Sequence, residues 1–167
     1  IVLRGEGPSF SAGHDLGSPD VGDRDEREAA PMAVKYNNNR ALDPDPLLRF
    51  RALPKPTIAM VHGHCIYAAW MLASSMDVIF ASEDAQFLAT NFQYFSVPWD
   101  IGARRAKHLL FGNQFLSGSE AMEIGFVQEA HPAERLEAET MAYASRVAEM
   151  DPFQLQMMKH SINQMQE

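Results

Sequence analysis

Five consecutive β-prone residues, Thr57-Ile58-Ala59-Met60-Val61, hemmed in by Pro54, Pro56 and Gly63, constrain this chain most. Apolar side chains at successive positions leave neither face of a strand to water. The segment therefore belongs inside a sheet covered on both sides, the usual setting of parallel strands. Its neighbours agree. Ile1 to Arg4, Asp77 to Ser82, the shorter Ala85 to Leu88 and Phe126 to Ala130 read as further strands. Between them, Ala68 to Ser75 is rich in Ala, Met and Leu and reads as a short buried helix. Asp100 to Phe111 reads as a helix stopped by Gly112, with Asp100 as its N-cap. Ser117-Gly118-Ser119-Glu120 is a capping box opening a helix that ends at Gly125, and Pro132 opens the next. Leu155, Met158, Ile162 and Met165 form one stripe of an amphipathic helix after Asp151-Pro152, expected to face the core. Strands separated by helices predict an α/β fold, and the absence of repeats or linkers predicts one domain over 1–167.

Composition excludes several functions. The chain has 167 residues with 14 basic against 22 acidic side chains, a net charge of −8 that argues against gripping a nucleic-acid backbone. No apolar run approaches the roughly 20 residues of a membrane span, and no signal pattern opens the chain. A lone cysteine, Cys65, cannot form an internal disulfide, so a reducing cytoplasm is the expected location. From Gly17 to about Pro46 the chain is polar, with six charges from Asp23 to Glu28, and reads as a solvated helix-and-loop excursion. The chain opens without Met inside a strand and stops on a charged helix, as a portion of a longer protein would.

Two segments combine small residues with a tight turn at a strand end: Ser11-Ala12-Gly13-His14, and Gly63-His64-Cys65-Ile66-Tyr67-Ala68-Ala69, which runs into a helix. A helix start presents unpaired N–H groups at the positive end of its dipole. Two such groups converging from separate loops would make an oxyanion hole for a carbonyl oxygen gaining charge. His62 and His64 alternate on one face, with Cys65 on the other. No third ligand stands at a recognisable spacing, so no metal site is predicted.

Five segments, in this order, resemble the crotonase (enoyl-CoA hydratase/isomerase) superfamily: Phe10 to Leu16, Pro54 to Gly63, Leu72 to Asp77, Ala81 to Phe87, and Leu116 to Val127. The resemblance implies a ClpP/crotonase-like spiral of ββα units that binds an acyl-CoA thioester, with coenzyme A arriving as part of the substrate and no other cofactor. It also implies a homotrimer or homohexamer, a lyase or isomerase of the fatty-acid type, and further strands before and helices after this stretch. The two oxyanion N–H groups would belong to His14 and Ala68. Ser11, Ala12, Gly13, Asp15 and Leu16 would line the substrate, with Met71 and Asn91 beyond them. Asp77 matches a family aspartate and is read as structural.

The chain departs from that pattern twice. A Gly-Gly-Gly turn has become Tyr67-Ala68-Ala69, so the turn is expected to be built from right-handed helical angles. The two glutamates that activate water in family hydratases are replaced by Met71 and Asn91, neither of which accepts a proton at neutral pH. Asp100, His64 and Tyr67 remain as candidates for proton transfer, and Asp100 lies one residue from the place of a nucleophilic aspartate in chlorobenzoyl-CoA dehalogenases. Arg104, Arg105 and Lys107 are solvated or meet CoA phosphates or a neighbouring subunit. Trp70, Phe92, Tyr94, Phe95 and Trp99 hint at an acyl site shaped for a ring. Besides an enoyl-CoA hydratase or isomerase, the residues admit a thioester hydrolase, dehalogenase or ring-opening C–C hydrolase using Asp100, and a silent acyl-CoA-binding homologue.

Overall fold

The computed structural model of the protein describes residues 1–13, 15, 29–42, 44–90 and 94–165. Strands β1 (Val2–Arg4), β2 (Ile58–Val61), β4 (Val78–Ser82) and β7 (Glu129–His131) form one sheet in the order β1-β2-β4-β7, parallel throughout. β2 sits in its middle with all four residues buried, as its uninterrupted apolar run requires. A second sheet, β3 (His64–Ile66), β5 (Gln86–Leu88) and β6 (Leu116–Ser117), pairs β3 with β5 in parallel and β5 with β6 antiparallel. The helices are α1 (Met32–Leu42), α2 (Pro44–Arg51), α3 (Ala68–Ser74), α4 (Val97–Ile101), α5 (Ala103–Gly112), α6 (Gly118–Glu123), α7 (Ala133–Ala148) and α8 (Pro152–Gln164).

The core between the sheets is aromatic. Trp70 of α3, 1% exposed, stacks on Phe126 with ring centroids 3.8 Å apart, and Phe87 of β5 meets both rings edge-on. Below the first sheet Phe80 packs on Tyr143 of α7. The predicted capping box of α6 is complete: Ser117 Oγ accepts from Glu120 N, and Glu120 accepts from Ser117 N at 2.7 Å.

Four expectations are corrected. The strand expected over Phe126 to Ala130 begins at Glu129, because the N–H groups of Phe126 and Val127 both go to the Ala121 carbonyl and close the end of α6 instead. The helix expected from Asp100 to Phe111 is two helices broken at Gly102, whose φ of +81° suits glycine. Asp100 therefore lies inside α4 and caps nothing; Gly102 holds the N-cap position of α5. The methionine stripe of α8 does not face the core: Met158 is 43% and Met165 85% exposed. The half-buried face is Leu155, Lys159 and Asn163, set by polar contacts. Lys159 Nζ meets Asp77 Oδ2 at 2.8 Å, and Asn163 Nδ2 donates to the Arg51 carbonyl. Within the described part of the polar excursion, α1 buries no residue.

Candidate active site

The two turns picked out in the sequence meet. Ser11 joins the edge of β3: its N–H donates to the His64 carbonyl at 3.0 Å, and its carbonyl accepts from Ile66 N. The Ser11 hydroxyl accepts from Gly13 N at 3.2 Å and folds the chain back at once. Gly13 follows with φ of +96°, and a Cβ there would stand 2.9 Å from the Ile66 carbonyl oxygen and 3.8 Å from Ala68 N. Only a residue without a side chain brings this loop so close to the start of α3. Ala12 and Asp15 are exposed beside it. His14 and Leu16, and Asn91 further on, lie outside the described residues.

The second turn carries its strain at an unexpected place. Ala68 and Ala69 take helical angles as expected, but Tyr67 has φ of 51° and ψ of −100°, and its N–H is tied to the Leu88 carbonyl at 3.0 Å. That backbone is glycine territory and costs a tyrosine on the order of 1–3 kcal/mol. As the first residue of α3, Ala68 has an N–H with no helical acceptor, and it makes no main-chain bond to the described residues.

The remaining candidates are scattered. Met71 is 2% exposed, one turn into α3. His64 is exposed, with Nδ1 3.2 Å from Ser9 Oγ. His62 Nε2 donates to the Gly7 carbonyl. Cys65 is buried, which pushes its thiol pKa far up and leaves it inert. Tyr67 opens onto an apolar cavity of about 500 Å³ walled by Ala89, Phe95, Pro98, Ala106 and Leu110. Among the described residues no three His, Cys, Asp or Glu side chains cluster as metal ligands.

Asp100 faces a different cavity, of about 450 Å³, on the other side of α4. Ser96 Oγ donates to Asp100 Oδ2 at 2.8 Å. Burial holds the Asp100 pKa above the ordinary carboxylate range, while the Ser96 and Ser74 hydroxyls and the Arg51 charge pull it part-way back. Ser74 lies close enough to stabilise that charge. Even so, its oxygen, in a residue 6% exposed, makes no well-formed hydrogen bond among the described residues. Sequence reasoning missed Ser74, Ser96 and Arg51. The available signal was spacing: Ser96 precedes Asp100 by one helical turn, and Ser74 follows Met71 by three residues.

The profile of the enoyl-CoA hydratase/isomerase family matches residues 1–167. The chain belongs to the enoyl-CoA hydratase/isomerase family. A relative from Mycobacterium tuberculosis, EchA13, provisionally named an enoyl-CoA hydratase, is 34% identical over 98% of this chain and 58% of its own length. The 2,3-dehydroadipyl-CoA hydratase of Escherichia coli K12 is 27% identical over 99% of this chain and 64% of its own. The crystal structure of an enoyl-CoA hydratase/isomerase from Xanthobacter autotrophicus Py2 superposes with a TM-score of 0.82. It is 31% identical, covering 98% of this chain and 61% of that one. The α/β architecture is thus the crotonase fold of the family. The chain spans little more than half the length of the first curated relatives it matches. No described helix is long and apolar enough to cross a membrane.

Proposed function

We propose that the chain belongs to an acyl-CoA-processing enzyme that stabilises a thioester enolate or oxyanion between two main-chain N–H groups, those of His14 and Ala68. The single observation that carries this reading is the approach of the Gly13 loop to Ala68 N, which a Cβ at Gly13 would block. The residue after Gly13 is His14, and the reading assigns the second donor to its amide. An oxygen gaining negative charge there meets donors already fixed in place, and one such donor is worth about 3 kcal/mol in the barrier. The substrate is an acyl-CoA thioester, in keeping with the relatives' names, and coenzyme A enters only as part of it. Met71 and Asn91 do not supply the paired carboxylates of a water-adding site. Within this reading the chemistry is of the lyase or isomerase type on a carbon next to the carbonyl. A cytoplasmic homotrimer or homohexamer is part of the same proposal. The full-length protein should consume a short enoyl-CoA, read as loss of its conjugated thioester absorbance. Ala68→Phe should abolish this while leaving the circular dichroism intact. Unchanged turnover in that variant would sink the two-amide mechanism.

A second reading is favoured by the placement of Asp100 in its own cavity. As nucleophile or base it would attack an activated aryl- or β-keto-acyl-CoA, in a hydrolase or dehalogenase. Activity on such esters that survives Asp100→Asn would exclude it. The raised pKa makes the Asp100 carboxylate a better base than an exposed aspartate.

A further inference from the structure

The turn at Tyr67 carries a strain that its main chain does not need. Glycine takes φ of 51° and ψ of −100° at little cost, so a tyrosine persists there only where its side chain has a use. That side chain is 44% exposed and walls the apolar cavity of about 500 Å³. Phe95 and Phe111, 45% and 84% exposed, add two more rings to the wall, and Pro98, Ala106 and Leu110 supply the rest of its apolar surface. None of the three rings packs on another ring among the described residues, whereas Trp70, Phe87 and Phe126 in the core all meet one another. Exposed aromatic surface gathered around one concavity of this size is the mark of a ligand pocket. Among the described residues no acidic side chain lines it, and its one basic wall residue, Lys107, is exposed, so a charged acyl group finds no counter-ion inside.

The chain itself joins this cavity to the Ala68 turn. Tyr67 is at once part of the cavity wall and the residue bonded to Ala68, with neighbouring Cα atoms about 3.8 Å apart. Its N–H donates to the carbonyl of Leu88, and the two residues that follow, Ala89 and Thr90, line the same space. A thioester carbonyl at the Ala68 amide therefore has this cavity as the immediate neighbour of its acyl group. We propose that the cavity is an acyl subsite for an uncharged aryl ring, and that Tyr67 and Phe95 set this preference. The proposal rests on the thioester reading above. A ring meets aromatic walls in stacked or edge-on geometry and has few torsions to freeze. An alkyl chain of the same carbon number gains no such contact and loses more rotamer freedom.

Calorimetric binding to the full-length protein tests this with two thioesters of nine acyl carbons, 3-phenylpropanoyl-CoA and nonanoyl-CoA, neither with a double bond beside the carbonyl. Transfer out of water alone favours the nonanoyl ester, whose open chain presents more apolar surface. An aryl subsite reverses that order: the phenyl ester should bind about tenfold more tightly, the combined worth of two ring contacts. Phe95→Leu keeps the apolar bulk and should bring the ratio to one or below, as should Tyr67→Leu, while Tyr67→Phe should leave the ratio in place. A tenfold preference that survives both leucine variants overturns the assignment to this cavity. Nonanoyl-CoA bound as tightly as the phenyl ester, or more so, by the unaltered protein overturns the aryl subsite and leaves the thioester reading standing. Failure to bind either ester overturns both. The unaltered protein settles the preference without any variant, so a misfolded variant does not blunt the test.

Discussion

The two ends of α3 present different kinds of atoms. At its start, a main-chain N–H at Ala68 faces the Gly13 loop on a half-exposed turn strained at Tyr67. At its end, side-chain oxygens of Ser74 and Asp100 gather in a cavity away from the sheet edge. A main-chain donor depends on backbone path and tolerates change of side chain, which is how Gly-Gly-Gly could become Tyr67-Ala68-Ala69. A side-chain site depends on residue identity. Trp70, locked on Phe126 between them, fixes the helix that carries both.

That contrast can be broken at several points. Trp70→Ala should have the largest effect, about 3–5 kcal/mol of stability, because it empties the shared support; urea unfolding reads it, and a loss below 1 kcal/mol would show the two ends to be held independently. Gly13→Ala should come next, lowering kcat/KM for an enoyl-CoA by about 10²-fold, near 3 kcal/mol. Its added methyl, 2.9 Å from the Ile66 carbonyl, displaces the loop from Ala68. The fall in activity should exceed any fall in melting temperature. Ser117→Ala, remote from both ends, should cost about 1 kcal/mol through its lost cap. Ser74→Ala should cost little, since its hydroxyl makes no well-formed hydrogen bond among the described residues. Tyr67→Gly should act in the opposite direction, a gain of up to about 1 kcal/mol as the strained backbone relaxes.

Asp100 gives the comparison a pH axis. A carboxyl whose folded pKa is raised disfavours the folded state once ionised. Its stabilising contribution is complete below the ordinary aspartate pKa near 4 and is lost as pH climbs through the elevated value. Thermal melts from pH 3 upward should show Asp100→Asn gaining on the unaltered protein as pH rises. A constant difference across that range would show that Asp100 is not desolvated. No variant at the Ala68 end should produce such a slope.

Much of this was legible in sequence. The apolar run of β2, the capping box of α6 and the tight turn at Gly13 were local signals, and each stands as read, whereas the right-handed angles expected of the second turn fail at Tyr67. The family followed from the order of motifs and is shown by the profile match. The errors share a cause. Periodicity identified α8 as an amphipathic helix but chose the methionine face, because it measures where apolar residues recur and not which face has a partner. Likewise Asp100 before Ile101-Gly102 looked like a cap, since nothing local showed that Gly102 restarts the helix and turns Asp100 inward.

Sequence alone determined the element types, the family and the glycine that lets one loop lie against a helix start, because these depend on neighbours a few residues away. Tertiary structure alone decided that strain falls on Tyr67, that Lys159 of α8 closes on Asp77, and that Ser74 and Asp100 share a cavity. Those outcomes join residues far apart in the chain, and only the packing of the elements sets the distances between them.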